Sequence, residues 1–208
     1  MPATIQSVGP PPERHADRVI AEMLQSFASV KAARYPHLLQ AYADSRDGNP
    51  RAQARLARRL EAAGGLNVNL TPGKRGRYKL TFLDWTGWHP GGGGEIRLGD
   101  PIPDKPWIAC WMNMISKIRG TTQLRAVPVL LITHHVLSRA AQRRGVRTAE
   151  DLMMVCAKLW NTSMRLIDRE IDRKACPPNG WRERDDELGT VVFKIEEEIG
   201  CLIATTVF

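Results

Sequence analysis

The chain has 208 residues, 43% hydrophobic and 25% charged, with a net charge of +8. That balance excludes wholesale disorder and collagen-like structure, and a chain of this length buries enough surface to fold without disulfide or metal staples. Its longest purely apolar runs, such as Val129–Ile132, fall far short of the ~20 residues a membrane helix needs, so no membrane association is expected.

Met1–Pro12 contains prolines at 2, 10, 11 and 12 and no apolar stretch, unlike a secretory signal. Cys110, Cys156, Cys176 and Cys201 lie far apart with no C-x-x-C pair. This spacing argues against a zinc site or a disulfide framework, and for a reducing, cytoplasmic setting with no metal or cofactor. The distribution of charge is more informative than its total. Pro106–Ala149 contains no Asp or Glu, while Lys117, Arg119, Arg125, Arg139, Arg143, Arg144 and Arg147 give it +7. Residues 150–208 are net acidic. A basic middle beside an acidic tail points to a polyanionic partner, RNA first and DNA second. A merely solubilising surface charge is the competing reading.

Residues 13–33 read as an amphipathic helix on Val19, Ile20, Met23, Leu24, Phe27 and Val30, with Pro36 interrupting it. Residues 50–63 form a second helix, opened by Pro50 and closed by Gly64-Gly65. Its face of Arg51, Arg55, Arg58 and Arg59 reads first as solvated and second as a phosphate contact. The pattern then changes to strands: Leu66, Val68 and Leu70 alternate, as do Tyr78, Leu80 and Phe82, around a Pro72-Gly73 turn. Gly91–Gly94 lacks the Gly-Lys-Ser/Thr ending of a phosphate loop and reads as a flexible connection. Residues 107–118 suit a buried strand or a short helix. Trp85, Trp88, Trp107 and Trp111 suggest core packing before base stacking.

Val127–Ile132 is a short apolar stretch leading to Thr133, an N-cap for a helix over 134–144 that Gly145 ends. Thr148 and Asp151 resemble a capping box for a helix to about Trp160, with Met164–Ile171 either extending it or standing separately. Pro177–Gly180 is a loop. Thr190–Ile195 and Cys201–Phe208 read as a closing antiparallel hairpin.

The segment with chemical content is 133–145. At 100° per residue, Val136, Leu137, Ala140 and Ala141 share one side of the helix, and His135, Arg139, Gln142 and Arg143 share the other. Guanidinium groups pair with phosphate oxygens, and an imidazole is the ordinary proton carrier near neutrality. The set suits binding and cleaving a phosphodiester; an exposed basic helix with no chemistry is the alternative. His134-His135 is adjacent and therefore a poor two-histidine metal pair.

His135, Arg139 and Arg143 resemble the His-Ala-x-x-Arg-x-x-x-Arg-Gly signature of small BrnT-like toxins in the RelE-like ribonuclease superfamily, with Val136 in place of the usual Ala. Val146, Thr148 and Asp151, and the ending Ile203-Ala204-Thr205-Thr206-Val207, are similar to that family too. The resemblance covers about residues 127–208. It implies a compact sheet packed by two helices, metal-independent RNA cleavage by 2′-hydroxyl attack on phosphate, and an antitoxin or regulatory protein covering the active surface. The chain departs from the short toxins in its long N-terminal part, in the extra stretch Asn161–Asn179, and in Glu196-Glu197-Glu198 near the closing turn.

The expected fold is α+β: N-terminal helices (1–64), a β-rich middle segment (65–125), and a RelE/BrnT-like module (126–208) with a mixed sheet packed by two helices. The expected function is that of a toxin-like ribonuclease. His135, Arg139 and Arg143 would be catalytic, and Lys117, Arg119, Arg125, Arg144 and Arg147 would bind nucleic acid. The alternatives are a non-catalytic RNA- or DNA-binding protein using the same face, or a phage-related interaction or structural protein.

Overall fold

The computed structural model describes residues 13–43, 50–62, 66–72, 78–90, 94–118, 121–170, 177, 179–197 and 199–208. Two helices, α1 (Glu13–Ala43) and α2 (Pro50–Ala62), precede strands β1 (Leu66–Pro72), β2 (Tyr78–His89), β3 (Gly94–Ile96), β4 (Trp107–Ile118) and β5 (Thr121–Ile132). Then come α3 (His134–Arg144), α4 (Ala149–Glu170), and β6 (Trp181–Asp185), β7 (Gly189–Glu196) and β8 (Cys201–Val207). The architecture is α+β, with a mixed sheet. Its strand order is β1-β2-β4-β5-β8-β7-β6, with β3 pairing on β2. All neighbours are antiparallel except β5 and β8, which run parallel over Leu130–Ile132 and Leu202–Ala204.

Parallel strands require a crossover, and α3 and α4 lie within the one between β5 and β8. The boundary expected at 125/126 falls inside β5, so the middle and C-terminal segments share one continuous sheet. α1, α3 and α4 pack together, burying Val19, Ile20, Met23, Leu137, Ala140, Leu152, Val155 and Leu159 against Trp85, Ile108, Leu130, Phe193 and Ala204. Strand alternation sends the intervening residues to the other side. There Trp88, Ala109, Leu131, Cys201 and Ile203 form a second cluster, with Trp107, Trp111 and Ile199 half-buried over it. α2 rests on β1, β2 and α1.

Three elements differ from their sequence signals, each for a local reason. α1 continues through Pro36, although proline has no N–H for the carbonyl four residues back. Among the described residues, the buried ones of α1, Ala16 to Leu24, precede the proline, so that anchored stretch keeps its hydrogen bonds. α4 runs on to Glu170 through Asn161-Thr162-Ser163. Thr162 and Ser163 are buried, and their hydroxyls donate to Asp185 Oδ2 (3.3 Å) and Trp160 O (2.7 Å). β6 lacks an apolar alternation: it buries Trp181 and Glu183, and Glu183 is ion-paired with Arg169 and, at 3.9 Å, with Arg165 of α4.

Residues 107–118 are a central strand, and β5 extends back to Thr121. Pro128 is tolerated within β5 because the register shifts there: Cys110 pairs with Leu130 and Trp111 with Pro128. β7 and β8 pair antiparallel as expected. Gly91–Gly93 and Cys176 lie outside the described residues. No described helix is long and apolar enough to cross a membrane.

Candidate phosphodiester site at the start of α3

α3 spans the residues its sequence predicts, and both of its ends are capped. Thr133 has extended backbone angles, and its hydroxyl accepts from Val136 N. Its own N–H donates to Ala204 O at 3.2 Å, which fixes the helix start to β8. At the other end Gly145 adopts φ 61°, and its N–H reaches the carbonyls of Ala141 and Gln142. Val136, Leu137, Ala140 and Ala141 are buried, while His135, Arg139 and Arg143 are exposed. The helix therefore presents its basic side outward, as its periodicity requires.

At the N-terminal end lies a cleft of about 360 Å³ lined by Asp17, Lys105, Trp107, Thr133, His134, His135 and Ser138. Its lining comes from α1, from the proline-flanked loop before β4, and from the first two turns of α3. Both histidines line it, despite their adjacency. His134 Nε2 is 2.9 Å from Asp17 Oδ1, and its Nδ1 is 3.4 Å from Ser138 Oγ. A carboxylate only accepts, so Nε2 donates to Asp17, while Nδ1 shares a hydrogen bond with the Ser138 hydroxyl. His134 is thus held in one orientation by groups from two helices. Among the described residues, His135 and Lys105 have no hydrogen-bond or ion-pair partner. The unpaired N–H groups of the first turn of α3 and the helix dipole favour negative charge at the same end. Trp107, half-buried, adds a flat apolar wall.

The C-terminal end of the same helix is arranged differently. Arg143 Nη1 donates to Leu188 O at 3.0 Å and also to Phe208 O. Arg144 is ion-paired with Glu187, which Lys158 of α4 shares. All three basic side chains converge on the β6–β7 turn. Gly189, at φ +89°, lets that turn approach, because a Cβ there would run into Phe208 O and the Arg143 guanidinium. Arg143 therefore ties the turn to the chain end, a role its helical position alone does not reveal.

Among the described residues, none of the remaining candidates lines the cleft. Arg139 is exposed one turn beyond His135, outside the lining of the cleft. Arg125 is exposed on β5 opposite Met114. Arg147 is exposed in the α3–α4 loop. Lys117 is near the end of β4, and Arg119 lies outside the described residues. Sequence reasoning missed Lys105, Asp17, His134 and Ser138. Of these only the Thr133-His134-His135 run at a helix start carried a local signal.

The capping box of α4 forms as its sequence suggests, with Asp in place of Glu. Asp151 N donates to Thr148 Oγ1, and the Thr148 and Arg147 N–H groups donate to Asp151 Oδ2, all at 3.1 Å. The Arg147 N–H, then the Thr148 hydroxyl and N–H, hold the Asp151 carboxyl below its ordinary range. Burial pushes the Cys156 thiol up to about 12 and the Cys201 thiol to about 11, and raises Cys110 well above the ordinary thiol value. These three are packing residues that stay protonated near neutrality. Among the described residues, no three His, Cys, Asp or Glu side chains converge as a metal site. Compared with family models, curated proteins and solved structures, the chain matches none.

Proposed function

We propose that this protein binds RNA at the α3 cleft and cleaves it without a metal, by attack of a 2′-hydroxyl on the adjacent phosphorus. One observation carries the reading: His135 shares a cleft with Lys105 and a second, oriented histidine at a helix N-terminus. The BrnT-like spacing of His135 and Arg139 supports it independently.

In this reaction the O2′–P bond forms, the P–O5′ bond breaks, and a 2′,3′-cyclic phosphate and a 5′-hydroxyl result. One group must accept the 2′-hydroxyl proton and one must supply a proton to the leaving oxygen. His135 takes one of these roles. Water in the open cleft takes the other, because both ring nitrogens of His134 are engaged by Asp17 and Ser138 and that imidazole serves to shape the cleft. Lys105 and the first-turn N–H groups face the charge that builds on the non-bridging oxygens. Arg139 grips a flanking phosphate. Arg143, which the sequence motif places beside them, serves the β6–β7 turn instead. A cytoplasmic site of action and an antitoxin-like protein that covers the cleft belong to the same proposal.

The test is RNA degradation by the purified protein in EDTA, with His135→Ala as the control. Cleavage that slows about 100-fold or more in the variant, with RNA binding retained, supports the enzyme. Absence of cleavage by the wild type overturns it. The second reading is a non-catalytic nucleic-acid-binding protein, favoured by the engagement of Arg143 with two carbonyls, which leaves one arginine instead of two beside His135.

A further inference from the structure

Trp107 belongs to two features at once. It lines the histidine cleft, and it packs over the apolar cluster on the sheet face opposite α1, α3 and α4. On that face Trp88 pairs directly with Trp107 across β2 and β4, and the Trp88 and Trp111 rings lie 5.7 Å apart, tilted by 52°. Trp111 is fixed by its indole N–H, which donates to Thr86 Oγ1 at 2.7 Å. Lys194 shares the face, since it pairs with Ile203 of the cluster, and it is exposed. The acids Asp84 and Glu196 pair with Trp111 and Cys201. Asp84 is therefore mid-strand, four residues along β2 from Trp88. The end nearest the cleft combines a positive charge, Lys105, and an aromatic wall with a single acid of the described sheet residues, Glu95 of β3, which pairs with Trp88.

We infer that this end of the sheet is a stacking platform for single-stranded RNA, on which a base beside the phosphate held at His135 and Lys105 stacks against Trp107. The inference rests on the RNA-binding reading of the cleft and names its substrate class. A base presents its flat face only when it is unstacked from its neighbours, so a duplex offers Trp107 nothing. A phosphate in the cleft places the adjoining nucleotide at the cleft wall. Stacking on an aromatic side chain tolerates any base, so the platform selects strandedness and not sequence. Trp88, buried and paired with Trp107 across the two strands, lies beside it.

The test uses 2′-O-methyl oligonucleotides, which lack the attacking hydroxyl and so report binding alone. A fluorescent 12-mer of mixed sequence is titrated as a single strand and as a duplex with its complement, against wild type, Trp107→Phe and Trp107→Ala. The expected result is tighter binding of the single strand. The affinity loss is about tenfold in Trp107→Ala, within the range of one stacked base, and small in Trp107→Phe, with duplex binding unchanged in both. Intrinsic tryptophan fluorescence is quenched by the single strand in wild type and less so in Trp107→Phe, a readout that does not depend on the alanine variant folding well. Equal affinity for both forms, or unchanged single-strand affinity and quenching in the variants, overturns the platform. A wild type that binds the single strand through Trp107 but cleaves no ordinary RNA leaves the platform standing and overturns only the catalytic reading.

Discussion

The two ends of α3 have similar residues and opposite uses. At its start, His135 and Lys105 line an open cleft, and His134 is oriented by Asp17 from another helix. At its end, Arg143 and Arg144 are engaged at the surface by two carbonyls and by Glu187. The difference follows from what each end faces. The start abuts the rim of the sheet, where β5 ends and a proline-flanked loop stands back. The end abuts the β6–β7 turn, where the Leu188 carbonyl and the Glu187 carboxylate lie within reach of its guanidinium groups. A basic helical face is thus no single surface. Its charge is available to a ligand only where no internal acceptor lies within reach.

Removing chemistry at the start of α3 has the largest expected effect. In His135→Ala, RNA cleavage should fall by about 100-fold or more while affinity and thermal midpoint stay near wild type, measured by single-turnover cleavage and thermal unfolding. Cleavage unchanged in that variant would erase the functional difference between the two ends. Arg143→Ala should do the reverse. It leaves the Leu188 and Phe208 carbonyls without their cationic donor and should lower stability by roughly 1–3 kcal/mol in denaturant titration, with little change in RNA affinity at temperatures where it is folded. An unaffected midpoint combined with weakened RNA binding would show that Arg143 contacts phosphate after all.

Arg139→Ala sharpens the comparison, because this residue stands between the two ends and, among the described residues, has no partner. Its loss should leave stability unchanged and reduce the salt dependence of binding to single-stranded RNA by about 0.7 in log–log slope, the release of one counterion. A smaller effect is expected at Asp151, beyond the C-terminal end of α3. Its carboxyl lies below the ordinary value of 3.8 in the folded chain, so its contribution is fully present above that value and is lost as pH falls through the lowered one. Comparing the acid limb of unfolding in wild type and Asp151→Asn should show a shallower pH dependence in the variant. Identical acid limbs would mean that the cap adds nothing.

How much of this was legible in the sequence follows the range of each interaction. α3 was fully readable because Thr133, Gly145 and the apolar spacing are local signals that agree with one another. The closing strands were readable for the same reason. β6 was not, since its inward Glu183 looks like a surface residue until Arg165 and Arg169 arrive from α4. The end of α4 was obscured by Thr162 and Ser163, whose hydroxyls are satisfied within the fold. The site divides in the same way. His135 and Arg139 lie on one helix face and could be proposed from periodicity, whereas Asp17 meets His134 across 117 positions, and no local pattern contains that contact. The engagement of Arg143 also depends on a distant partner, the final residue of the chain.

The most direct measurement of the central claim is the salt dependence of affinity for a non-cleavable single-stranded RNA, compared between Lys105→Ala and Arg143→Ala. Each removes one positive charge, so net charge falls equally in both. If the start of α3 is the phosphate-binding end, Lys105→Ala lowers affinity and flattens the slope by about 0.7, and Arg143→Ala leaves both at the wild-type value. Equal flattening in the two variants, or flattening in Arg143→Ala alone, would contradict the assignment of the cleft.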